Sequence, residues 1–77
     1  AQKYVLCQFN VARENLEATI KIAPGKRAPT VSALEEKNWM AVSSVVERKS
    51  IGTVMDQLST AGATQILVLD VKNSRST

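Results

Sequence analysis

The chain has 77 residues, with ten basic and seven acidic side chains, one cysteine and no histidine. That length supports one small domain. The single Cys7 excludes an internal disulfide and the missing histidine excludes Ser-His and Cys-His catalysis, while the net charge of +3, spread in interleaved signs, reads as a mixed surface in preference to a nucleic-acid footprint.

Tyr4-Val-Leu-Cys-Gln-Phe-Asn10 is aromatic and β-branched, which predicts a strand over about 2–10. Asn10 is then placed to cap a helix over about 11–22. In that helix Ala12, Leu16 and Ile20 share one face, and Ala23 extends it. Pro24-Gly25 is the expected stop. A weaker strand follows over Thr30–Glu35, then a turn at Glu36-Lys-Asn38, then a strong strand over Trp39–Glu47. The two strands read as a hairpin. Ser50 is a candidate cap for a second helix with Ile51, Val54, Met55, Leu58 and Ala61 in an apolar stripe, ended by Gly62. Thr64-Gln-Ile-Leu-Val-Leu-Asp-Val71 is the last strand. Its unbroken apolar run predicts a central, well-buried place in the sheet. Residues 72–77 read as a polar tail.

The order strand, helix, strand, strand, helix, strand predicts an α+β ferredoxin-like βαββαβ sandwich. Two helices would cover one face of a four-stranded antiparallel sheet. Trp39, Met40, Val42, Val45 and Val46 are too many apolar residues to hide on one side of a strand, so sheet-face or sheet-edge pairing with another subunit or domain is expected. The chain starts at Ala1, without an initiator methionine, as a processed product or an excised piece does.

Catalytic chemistry is not legible. Glu35 and Glu36 are adjacent, so on a strand they point to opposite faces. Asp56 and Asp70 have no evident partner and read as solvated charges. No phosphate-binding glycine loop is present. Lys26 and Arg27 form a basic pair in the proline-flanked loop, which is either an anion grip or a solvated surface. Cys7, in an apolar run without metal co-ligands, reads as a buried small hydrophobe. Three non-catalytic uses of the fold remain. An RNA-binding sheet would stack bases on Tyr4, Phe9 and Trp39. A small-molecule sensor would use backbone groups at sheet ends. A structural oligomerisation domain would need neither.

Three strings carry a more specific signal. Ile22-Ala-Pro-Gly-Lys-Arg-Ala-Pro-Thr30 is similar to the I-T-P-G-x-x-[SA]-P-T element of the C-terminal regulatory domain of long-form ATP phosphoribosyltransferase. Trp39-Met-Ala-Val resembles that family's W-x-A-[VI] strand. Met55-Asp-Gln-Leu58 with Gly62-Ala-Thr-Gln-Ile-Leu67 resembles its M-D-x-L and G-A-x-x-I-L ending. The resemblance runs over about residues 3–75. It implies a single regulatory domain over 1–77, a C-terminal part of the enzyme that opens histidine biosynthesis. It further implies feedback inhibition by L-histidine, held by Asn10, Lys26, Ala28, Thr30, Val45 and Gln65, many of them through the backbone. Asn10 stands where many relatives carry an aspartate, so it offers neutral hydrogen bonds in place of an ion pair. Ala23 replaces the usual threonine. The implied partners are L-histidine, the catalytic domains of the same chain and further copies in a dimer or hexamer, with no nucleic acid and no membrane. No catalytic or metal-binding residue and no cofactor is expected in this domain. Magnesium is expected for the intact enzyme, in the cytoplasm.

Overall fold

A computed structural model describes residues 3–22 and 28–70. Strands β1 (Tyr4–Ala12), β2 (Thr30–Ala33), β3 (Trp39–Glu47) and β4 (Thr64–Asp70) form one antiparallel sheet in the order β2-β3-β1-β4. Helices α1 (Leu16–Ile22) and α2 (Ile51–Thr60) complete the ferredoxin-like α+β arrangement. The expected helix stop at Pro24-Gly25 and the tail at 72–77 lie outside the described residues.

β1 sets the layout. It pairs with β3 along its whole length and with β4 on its other side. Its burial alternates without a break: Val5, Cys7, Phe9 and Val11 are buried, and the residues between them are half-buried. Successive strand side chains point to opposite faces, so one face of the sheet lies under the helices and the other carries no helix. Val42 and Val46 of β3 join the buried side, as do Val54 and Leu58 of α2. Met40 packs against this core, whereas Trp39 and Val45 fall on the helix-free side and stay half-buried.

Two starts of helices differ from the sequence expectation. β1 runs on to Ala12, and a 3-10 turn over Arg13–Asn15 precedes α1. Asn10 is therefore a strand residue and caps nothing. The capping position falls on Ala12, with extended dihedrals and no side-chain cap. The 3-10 turn winds with three residues per turn, which changes the phase of α1. Thr19, not Ile20, becomes its fully buried residue. Its hydroxyl donates to the Leu16 carbonyl at 2.8 Å, so the polar group is satisfied inside the core. Likewise Arg48–Ser50 is a 3-10 turn ahead of α2, and the Ser50 side chain makes no capping hydrogen bond.

The end of α2 does follow expectation. Gly62 adopts φ 103°, the Gly62 amide donates to Ser59 O at 3.2 Å, and the Ala63 amide donates to Leu58 O at 2.9 Å. This is the paired Schellman pattern that satisfies the last helix carbonyls. The chain then turns directly into β4.

The position of β4 corrects the sequence reading. It is an edge strand, and Leu67, Val68 and Leu69 are exposed. An apolar run signals burial on both faces only when something covers both faces, and among the described residues nothing covers β4 that far. Backbone bonds tie the ends of the sheet: Arg13 donates to Asn38 O at 2.8 Å and Arg48 to Lys3 O at 2.9 Å. The Arg48–Asp70 ion pair, 2.7 Å and about half exposed on both sides, adds on the order of 0.5 kcal/mol.

Candidate functional site

The strand register turns the helix-free face into a map. Leu6 lies between Val45 and Leu69. Gln8 lies between Ser43 and Leu67, and Ser43 is opposite Thr30. Asn10 lies between Ala41 and Thr64, and Ala41 is opposite Ser32. The face therefore has an apolar row (Val45, Leu6, Leu69), a mixed row (Thr30, Ser43, Gln8, Leu67) and a small polar row (Ser32, Ala41, Asn10, Thr64).

Three of the six candidate residues, Asn10, Thr30 and Val45, project from this one face. Strand spacing near 4.8 Å and a two-residue rise near 6.8 Å put Thr30 about 8 Å from Val45 and Asn10 about 12 Å from Thr30. Gln65 is exposed beside the Asn10 row. It occupies the left-handed region at φ 52°, where the β1–β4 register shifts between Gln8 and Asn10. A non-glycine residue held there marks a local bulge and is a reason to look for function. The Thr64 hydroxyl reaches Asn10 O at 3.5 Å, the long limit of a hydrogen bond. Ala28 is exposed two residues before β2. Lys26 lies outside the described residues.

The sequence reading missed Gln8, Ser43, Ser32 and Thr64 as neighbours of these residues. Counting by two from Asn10 finds Gln8, and counting by two from Val45 finds Ser43. The face offers hydroxyls, amides and apolar surface, without a charged side chain in its three central rows. Such a set suits a small zwitterion held by neutral donors and acceptors.

Other readings meet geometric obstacles. A base-stacking platform requires clustered aromatics on an open sheet. Phe9 is 2% exposed, on the covered side. Tyr4 and Trp39 stand at opposite ends of the face, paired with Glu47 and Ala12. Among the described residues no three His, Cys, Asp or Glu side chains gather as a metal site, and no helix is long and apolar enough to cross a membrane. A cleft of about 620 Å³ between α1 and α2 is lined, among the described residues, by Lys21, Ile22, Asp56, Gln57, Thr60 and Ala61, and none of the five described candidates is one of them.

Cys7 is fully buried, and burial pushes its thiol pKa up. A reactive cysteine has the opposite setting. The folded state holds the proton more tightly than the unfolded state, so the Cys7 contribution to stability is fully present below the ordinary thiol pKa of 9.0 and is lost as pH rises from there through the raised folded value. Urea midpoints measured between pH 8 and 10 should fall further for the native chain than for Cys7→Ala. Thiol labelling of the native protein should proceed only as fast as it opens.

Comparison with known proteins agrees with the geometry. The family model described as "HisG, C-terminal domain" matches residues 1–73. ATP phosphoribosyltransferase of Schizosaccharomyces pombe is 55% identical over 75 residues, covering 97% of this chain and 24% of that protein. Those of Debaryomyces hansenii and Yarrowia lipolytica are 52% and 51% identical, again over 97% of this chain and over 26% and 25% of theirs. The chain thus spans about a quarter of the length of the curated relatives it matches. With the fold, the sheet order and the family match in agreement, the chain belongs to the HisG C-terminal domain family.

Proposed function

We propose that this chain is the regulatory part of an ATP phosphoribosyltransferase, that it binds L-histidine as the feedback signal, and that it supports assembly of the enzyme. The observation that carries the reading is the common placement of Asn10, Thr30 and Val45 on a helix-free face rich in neutral hydrogen-bonding groups. Ser43 and Gln8 lie between Thr30 and Asn10 in register and give the ligand further partners. Catalysis belongs to the remaining three quarters of the enzyme, in the cytoplasm. Magnesium is assigned in this reading to the intact enzyme and not to this domain.

Inhibition at a distance requires two global states that the effector binds unequally. In this reading the domain supplies the effector end of that coupling. Titration of L-histidine by calorimetry tests the binding, first on the chain and then on the intact enzyme. A hydrogen bond to a charged ligand group contributes roughly 1.5–3 kcal/mol. Asn10→Ala and Thr30→Ala should therefore each weaken histidine binding at least about tenfold and relieve inhibition, with substrate turnover in the absence of histidine unchanged. The reading fails if the intact enzyme shows neither heat nor a chemical-shift change with histidine.

A further inference from the structure

β4 holds one residue too many for a regular ladder with β1. Gln8 pairs with Leu67 and Asn10 with Thr64, so Gln65 and Ile66 together stand opposite Phe9. Two residues against one make a β-bulge, and in one type the first of the two is a glycine in the left-handed conformation. Gln65 holds that place, at φ 52°. A residue with a Cβ resists this conformation and keeps it only where the surroundings impose it. Here they do so from both sides. Ile66 packs against the core, and Ala63, on the far side of the bulge, is buried.

The bulge decides which side chain stands beside Asn10. Leu69 and Leu67 lie on the helix-free face, next to Leu6 and Gln8. Unbroken alternation would put Gln65 on that face next, opposite Asn10, and would turn Thr64 under the sheet beside Val11. The extra residue absorbs one step, so Thr64 comes opposite Asn10 and shares its face. The Thr64 hydroxyl donates to Asn10 O at 3.5 Å. A bond at that long limit is weak, so little is lost when the hydroxyl turns to a closer partner.

We propose that Thr64 binds the amino-acid effector together with Asn10, and that Gln65 is a positioning residue that serves the site through its bulged backbone and not through its amide. The inference deepens the function proposed above and rests on it for the ligand. A threonine hydroxyl donates and accepts, as the Asn10 amide does, so the pair can meet either charged end of a zwitterion or a neutral imidazole. A short β-branched side chain also loses less rotamer freedom on binding than the long Gln65 amide would lose in the same place.

Two pairs of substitutions in the intact enzyme test this, read by calorimetric titration with L-histidine and by amide hydrogen exchange over residues 62–67. Gln65→Gly suits the bulge and Gln65→Val opposes it, while both lack the amide. Gln65→Gly should bind histidine within about twofold of the wild type, and Gln65→Val at least about tenfold more weakly, with the exchange pattern altered in Gln65→Val alone. Thr64→Val keeps the shape and removes the hydroxyl, so it should cost at least about tenfold in affinity, and Thr64→Ser should restore most of it. Equal loss in Gln65→Gly and Gln65→Val assigns the role to the amide and overturns the positioning. Wild-type affinity in Thr64→Val overturns the part given to Thr64, and this pair decides if Gln65→Val does not fold. Each of these failures leaves the wild-type response to histidine intact and strikes this inference alone. A wild-type enzyme without any histidine response overturns the effector reading, and the ligand role of Thr64 with it.

Discussion

Leu58→Ala is expected to leave the domain close to unfolding. Leu58 is fully buried in the last turn of α2, packed in the cluster with Cys7, Phe9, Val11, Val42, Val46 and Val54. Truncation removes the transfer free energy of three carbons and leaves a cavity that a short helix pinned at Gly62 cannot collapse well. Comparable substitutions cost about 2–5 kcal/mol. A chain of this size has about 4–12 kcal/mol in total, so the loss is a large share. Thermal unfolding by circular dichroism should show the midpoint lowered by about 12–24 °C for a 3 kcal/mol loss. Leu58→Met, which nearly keeps the volume, should cost less than about 1.5 kcal/mol. A small shift for Leu58→Ala would mean that α2 does not carry the core.

Gly62→Ala is expected to cost about 2 kcal/mol through the backbone. Gly62 holds φ 103°, a conformation that side chains with a Cβ rarely adopt. A Cβ built there would also lie 2.8 Å from Asn15 Nδ2. That contact is with the end of a flexible side chain and can relax, so the dihedral carries most of the cost. The Schellman bonds of Gly62 and Ala63 depend on the same conformation. The substitution should therefore lower the urea midpoint and shorten α2 at its C-terminal end, read as faster amide exchange at Gly62 and Ala63. Equal destabilisation by Gly62→Ala and by Gly52→Ala would contradict the argument, because Gly52 has open space around a Cβ and sits inside a helix, where alanine is the better former.

Local signals with a direct physical cause were legible in the sequence. The bounds of β3 match the β-branched run Trp39–Glu47, and the stop at Gly62 matches the need for a left-handed residue. The turn before β3 was legible too. Asn38 takes φ 67°, a region asparagine tolerates, and the Trp39 amide returns to Glu36 O at 3.3 Å. What failed depended on tertiary context. Asn10 has the chemistry of a cap, but β1 must run to Ala12 to meet Trp39, so the helix starts later. The apolar run of β4 carries no information on whether its covering surface lies in the same molecule. The candidate site was legible only as separate residues. Its grouping on one face comes from register, which pairs Thr30 with Ser43 and Ser43 with Gln8. A pairing register is a property of two strands at once, and neither contains it alone.

The central place of β1 also orders events in time. Its first partner, β3, is synthesised well after it, and its second, β4, last of all, with Val5 waiting for Asp70 across nearly the whole chain. Contacts of such long sequence separation form late, because loop closure must precede any gain from them. During synthesis on the ribosome the strand at the middle of the finished sheet is therefore the one that waits longest for its second partner. Until β4 docks, the nascent chain displays the Val5-to-Val11 face beside an unfilled edge, which is the kind of surface that chaperones bind.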